Sequence, residues 1–253
     1  MIFSPSIDIV FNRAAMSLEE KIRAVHRLGF SAFEFWGWEN RDLPEVRKLA
    51  TELGIRIASM VVTPVPLVDP ARRPEFLAGL KRSLEAAQSV DCPYLIVLAG
   101  DERIGVSRGE QTDSIVEGLR ESVPLLEKTD ITLILEPLNL LVDHKGYFLS
   151  TSKEAVQIID RVGSPQVKLL FDVYHQQITE GNLIPNITSY FDRIGYFHIA
   201  DHPGRHEPGT GEINYANVLG AIRKLGYSGY IGLEYDPTED AEQSLKRFIT
   251  TFR

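Results

Sequence analysis

Hydrophobic and polar positions along the chain follow two alternating periods. Short apolar runs recur: "MIFSPSIDIV", "SAFEFW", "RIASMVV", "YLIVLAG", "ITLILEP", "VKLLFDV", "IGYFHIA" and "YIGLEYD". They are rich in Ile, Val, Leu and Phe, as parallel strands buried on both faces must be. Between them the period changes to that of an amphipathic helix. "EFLAGLKRSLEAAQ" places Phe76, Leu80, Leu84 and Ala87 on one face, and "AEQSLKRFITTF" does the same with Ala241, Leu245, Phe248 and Phe252. Ser17 with Glu20, and Thr151 with Glu154, predict capping boxes at two helix starts. "RLGF", "ELGI" and "KLGY" each place Gly between a helix and the next strand, a C-cap signal. The alternation amounts to eight strand–helix units with no linker, which predicts one α/β domain over residues 1–253, a (β/α)8 barrel. A doubly wound open sheet fits less well, because no GxGxxG follows the first strand.

Composition narrows the function. With 253 residues, 43% hydrophobic, the chain can bury a full core. A formal net charge of −8 argues against nucleic acid or an anionic membrane as partner and favours a small substrate, neutral or metal-neutralised. Cys92 is the one cysteine, so an internal disulfide is excluded. The opening residues lack the basic and long apolar regions of a signal peptide, and no apolar run reaches membrane-spanning length. The expectation is a soluble, cytoplasmic protein.

A barrel of this kind carries its site at the C-terminal ends of its strands. Strand five ends in Glu136, followed by Pro137 and Asn139; strand six ends in Asp172, with His175 three residues on; strand seven delivers His198 and strand eight Glu234. Taken singly, each carboxylate reads as a helix cap or a solvated loop group, and His198 as a hydrogen-bonded core histidine. Together on consecutive strands they read as ligands. Three carboxylates in one mouth repel one another, which a divalent cation removes, and oxygen donors with one imidazole suit Mg²⁺ or Mn²⁺. The connection after strand seven, "IADHPGRHEPGTGEINY", is long, polar and stiffened by Pro and Gly. It is expected to carry Arg205 and Glu207 over the metal. His202 and His206 read as loop groups and His26 as a structural helix residue. Trp36 and Trp38 fit either a pocket wall or a homo-oligomer contact.

"ILEPLN", "GYFLST", "LLFDVYHQQITEGNL", "ADHPGRHEPGTGEINY" and "GYIGLEYDP" resemble the hydroxypyruvate isomerase family of xylose-isomerase-like barrels, with the ketose 3-epimerases as relatives. The likeness is dense over residues 131–237. It implies a divalent metal held by Glu136, Asp172, the strand-seven residue and Glu234, with both glutamates also carrying proton transfers. His175 and Arg205 match substrate-binding positions; Asn139 and Glu207 complete the expected substrate-binding set. The implied reaction moves a carbonyl between adjacent carbons through an enediolate. Two positions depart from the family: His198 stands where Gln is usual, and Asp236 where "EYKP" has Lys. These departures favour a ketose 3-epimerase acting on a neutral sugar as the alternative. A metal-dependent endonuclease barrel of the AP-endonuclease type is more remote, since it needs further metal ligands and a basic face.

Overall fold

The computed structural model describes residues 1–252. Its strands are β1 (Ile2–Pro5), β2 (Ala32–Phe33), β3 in two segments (Arg56–Ile57 and Ser59–Val61), β4 (Tyr94–Val97), β5 (Thr132–Leu135), β6 (Val167–Asp172), β7 (Ile194–Ile199) and β8 (Tyr230–Leu233). All pairings are parallel. One ladder runs β1–β8–β7–β6–β5–β4 to the second segment of β3, and the first segment of β3 pairs with β2. The ring closes through a bridge from Ser6 to Glu34, where Glu34 N donates to Pro5 O at 3.0 Å and Ile7 N to Glu34 O at 3.0 Å. The chain therefore forms the closed α/β barrel that the alternation predicts.

The helices form where the pattern places them. Phe76, Leu80, Leu84 and Ala87 all face the core from the helix Arg73–Ser89. The three glycine exits are left-handed at Gly29 (φ 83), Gly54 (φ 65) and Gly226 (φ 79), a region costly for a residue with a Cβ. Ser17 and Glu20 form the reciprocal capping box. Thr151 caps only one way: its hydroxyl accepts from Glu154 N, while the Glu154 carboxylate is held by Arg108 at 3.0 and 2.5 Å. The second full box lies instead at Ser107 and Glu110. No helix among the described residues is long and apolar enough to cross a membrane.

The main core lies between barrel and helices, and a smaller one fills the barrel floor with Ala32, Ala58, Ile96, Ile134, Leu170, Tyr196 and Tyr230. Above that floor the interior turns polar. Ser4, Glu34, Ser59, Asp172 and His198 are all buried there. Asp172 is the register partner of His198, and His198 of Gly232. Side chains alternate across a strand, so these positions share the inward face, and this polar layer is the base of the site.

Candidate metal centre and cavity

Glu136 and Glu234 stand one residue beyond β5 and β8, where Glu136 N donates to Val97 O (3.2 Å) and Glu234 N to Ile199 O (3.1 Å). These bonds extend the ladder and fix both backbones. Asp172 serves two purposes at once. Its Oδ1 caps the helix Val173–Thr179, accepting from Tyr174 N at 2.8 Å and His175 N at 3.3 Å, while Oδ2 lies 3.6 Å from His175 Nε2. The capping and ligand readings of this residue are therefore compatible. His198 places Nδ1 3.5 Å from Glu234 Oε2 and 3.7 Å from Glu136 Oε1. One potential ligand atom from each of Glu136, Asp172, His198 and Glu234 lies within 4.8 Å of every other, and all four residues are buried.

Burial and mutual charge set the electrostatics. Burial pushes the Asp172 carboxyl up to about 7, the charges of Glu136 and Glu234 adding to it and His198 opposing. Burial also raises Glu136, with His198 again opposing. Glu234 goes the other way: burial works against its charge, but His198 and Arg205 outweigh it and hold the carboxyl well below the usual range. For His198, burial is likewise outweighed, here by Glu34 and Glu234, so its pKa rises well above the ordinary value. His175 is depressed by burial and then by Arg205.

A cation entering this cluster competes with protons, most directly at Asp172, whose carboxyl is pushed up to about 7. Divalent-metal affinity is therefore expected to climb from about pH 5.5 to about pH 8, because the raised pKa of Asp172 keeps it protonated at the lower end. Calorimetric titration with Mn²⁺ in two buffers of different ionisation heat reads the released protons directly. An affinity flat across that range contradicts the arrangement.

A cavity of about 390 Å³ opens above the cluster. Of the four clustered residues, Glu136 and Glu234 line it, whereas Asp172 and His198 do not. Arg205, His144, His175, Glu39 and Thr63 add polar lining, and Trp36, Val61, Pro64, Leu98 and Leu138 supply an apolar wall. Two donors hold Glu234: Trp36 Nε1 reaches Oε1 at 2.7 Å and Arg205 Nη2 reaches Oε2 at 2.5 Å. The Arg205 guanidinium also sits 5.3 Å from the Tyr174 ring centre. Of the two readings of the tryptophans, Trp36 walls the cavity; Trp38 is partly buried against the core.

The long connection after β7 is held by more than its Pro and Gly content. Buried Asp201 collects the amides of Gly209 (2.7 Å), His202 (3.0 Å) and Ile213 (3.1 Å). A Cβ at Gly211 would stand 2.2 Å from His202 O and 2.5 Å from Asp201 Oδ1, so only glycine fits this fold-back. Arg205 itself is left-handed (φ 57), a conformation that costs a residue with a side chain about 1 kcal/mol or more. The loop thus delivers Arg205 to the cavity lining.

Glu207 is placed elsewhere. Its carboxylate accepts from Thr238 N (3.0 Å) and Oγ1 (2.6 Å) and pairs with Arg247 (3.0 Å), so it anchors the loop to the segment after β8 and does not line the cavity. Asn139 is buried behind His175: its Nδ2 approaches His175 Nδ1 at 2.7 Å and donates to Asp143 at 2.7 Å. It orients His175 from behind, outside the cavity lining. Asp236 turns outward to Arg13 and Asn12. Its departure from the family's Lys therefore places no negative charge in the cavity.

The family model described as "Xylose isomerase-like TIM barrel" matches residues 22–251. The chain belongs to that family. Within it, hydroxypyruvate isomerase of Escherichia coli K12 is 37% identical over 177 residues, covering 70% of this chain and 68% of that one. The putative hydroxypyruvate isomerase of Homo sapiens is 30% identical over 257 residues, covering 96% and 92%. Among solved structures of xylose isomerase-like barrels, an AP endonuclease, family 2, from Brucella melitensis superposes with a TM-score of 0.93 at 27% identity, covering 99% of this chain and 98% of that one. The chain is thus hydroxypyruvate isomerase-like by sequence within a fold that several activities share.

Proposed function

We propose that this chain is a divalent-metal-dependent intramolecular isomerase of a small hydroxy-carbonyl compound, with Glu136 and Glu234 as its proton-transfer groups. One observation carries the reading: the two glutamates of the cluster reach the cavity, while Asp172 and His198 lie outside its lining. A molecule bound in the cavity meets two carboxylates anchored on separate strands. Binding alone would not require two such bases.

The residues fit a metal. Three buried carboxylates face one another, and His198 Nδ1 is buried without a hydrogen-bond partner. Glu136, Asp172, His198 and Glu234 would hold the ion, and their hard oxygens with one imidazole suit Mg²⁺ or Mn²⁺. When bound, such an ion supplies positive charge that stabilises the oxyanion formed as a proton leaves the carbon next to a carbonyl. The chain's residues do the rest. One glutamate takes that proton, a proton returns to the neighbouring carbon, and the substrate's hydroxyl proton passes to the former carbonyl oxygen, so the carbonyl changes place with no net gain or loss. Arg205 and Trp36 fix the Glu234 carboxylate through one oxygen each, so its direction is set before substrate arrives. His175, held by Asn139, and Arg205 are the substrate-orienting groups, and the apolar wall keeps water from the intermediate.

The ketose 3-epimerase reading has its own support. His198 replaces the Gln of the hydroxypyruvate isomerases, and Arg205 is the one Lys or Arg lining the cavity. An endonuclease reading is disfavoured by the net charge of −8 and by a metal-type cluster of four residues as the one found among the described residues.

The test is a panel of 2-keto acids, short hydroxy-aldehydes and ketoses, each incubated in D₂O with Mg²⁺ or Mn²⁺ and followed by NMR. The expected result is metal-dependent conversion of at least one compound, with deuterium entering at the carbon beside the carbonyl. Conversion of every active compound without any solvent deuterium would argue for hydride transfer and against proton transfer by the glutamates.

A further inference from the structure

Glu34 takes no part in the chemistry described so far. It sits at the end of β2, buried, outside the cavity lining and outside the four-residue cluster. Its backbone is the stitch that closes the barrel onto β1. Its side chain points into the polar layer, where Oε2 accepts from Tyr196 Oη and from Ser59 Oγ (3.3 Å). His198 Nε2 lies 2.9 Å from Oε1, and this is the ion-pair contact Glu34 makes among the described residues. The ring N–H is not aligned on that oxygen as a full hydrogen bond, so distance and charge hold the contact. The Tyr196 ring stands edge-on to the imidazole, its centre 5.5 Å away at 87°.

An acidic side chain buried without Lys or Arg is expensive unless something nearby compensates. The fold has moreover cleared space for it. A Cβ on Gly232 would lie 2.4 Å from His198 Cδ2, 2.6 Å from Glu34 Oε1 and 2.7 Å from Oε2. Gly232 is the register partner of His198 on β8, and any other residue there would push the two apart.

We propose that Glu34 is a positioning residue for the metal centre: it holds the His198 imidazole with Nε2 facing the barrel floor and Nδ1 facing the ligand cluster, and Gly232 is the gap that lets the two meet. The proposal rests on the metal reading above. An imidazole that ligates through one nitrogen is fixed in tautomer and made a better donor when a carboxylate engages the other. Glu34 supplies that carboxylate from the side of the site opposite the substrate. Tyr196 and Ser59 in turn hold the carboxylate still.

The experiment compares wild type with Glu34→Gln, Gly232→Ala and Tyr196→Phe. Three quantities are read at one pH: the Mn²⁺ dissociation constant by calorimetry, the melting temperature without metal, and the His198 Nε2–H proton resonance, without metal and with Mg²⁺. Wild type is expected to show that resonance displaced downfield in both conditions. Glu34→Gln should weaken Mn²⁺ about 10- to 100-fold and shift the resonance upfield, with a melting temperature close to wild type. Gly232→Ala should weaken the metal comparably with Glu34 intact, and Tyr196→Phe less. Unchanged Mn²⁺ affinity and an unmoved resonance in Glu34→Gln would overturn the proposal. Should Glu34→Gln fail to fold, the same readouts on Gly232→Ala and Tyr196→Phe decide it. A wild type that binds no Mn²⁺ defeats the metal reading by itself, while the resonance still reports whether Glu34 orients the ring.

Discussion

Glu136→Gln and Glu234→Gln are each expected to lower kcat by about 10²- to 10⁴-fold at saturating Mn²⁺, the range lost with a positioned acid–base group. That corresponds to about 3–5 kcal/mol of barrier. Glutamine keeps the shape and one oxygen of the side chain, so the barrel ladder at Val97 and Ile199, which uses only backbone atoms, is untouched. Removing a charge from the cluster also weakens metal binding, and the two effects must be separated. The metal content of each variant is therefore measured alongside kcat. A variant that holds a full equivalent of metal and still loses turnover has lost a base. Near wild-type kcat in either variant with full metal would remove that glutamate from the mechanism.

Much of this architecture is legible in the bare sequence because parallel barrels write it twice. Strands buried on both faces must be continuous apolar runs, and several helices leave through a left-handed residue, which glycine fills at 29, 54 and 226. The four-residue candidate metal cluster is legible for a related reason. A charged residue at the end of such a run is forced to the barrel mouth, and four consecutive strands each end in one. What stays hidden depends on side-chain direction in irregular backbone. Glu207 is two residues from Arg205, yet the left-handed turn at Arg205 and the Asp201 amide cradle send their side chains to different places. Asp236 is two residues beyond Glu234 but past the end of the ladder, where alternation no longer tells inside from outside. Glu34 is the opposite case. It lies inside "SAFEFW", and an acid in the middle of an apolar run is itself a signal that something within the barrel needs it. Reading only the ends of the last four strands passes over it. Trp36, in the same run, is visible as an aromatic near the mouth, but its hydrogen bond to Glu234, from the far end of the chain, has no local trace.

Exhaustive chelation is expected to abolish turnover, and added Mn²⁺ or Mg²⁺ to restore it. The same treatment is expected to change stability. Without a cation, Asp172, Glu136 and Glu234 are buried against one another, and His198 and Arg205 are the positive groups within the cluster's reach. Folding then has to desolvate these groups with incomplete compensation. A ligand that binds only the folded chain stabilises it by RT ln(1 + [L]/Kd), about 4 kcal/mol at a thousandfold excess over Kd. For a chain of this size each kcal/mol moves the melting temperature by roughly 2–4 °C, so saturating Mn²⁺ should raise Tm by roughly 10 °C. The shift must grow with the logarithm of metal concentration above Kd, which distinguishes site binding from a general salt effect. It should also shrink in Asp172→Asn, which removes a ligand that does not line the cavity. Full activity after chelation would exclude the metal mechanism outright. A Tm indifferent to Mn²⁺, in protein whose activity does respond to it, would mean that the ion binds with substrate in the cavity and not in the buried cluster.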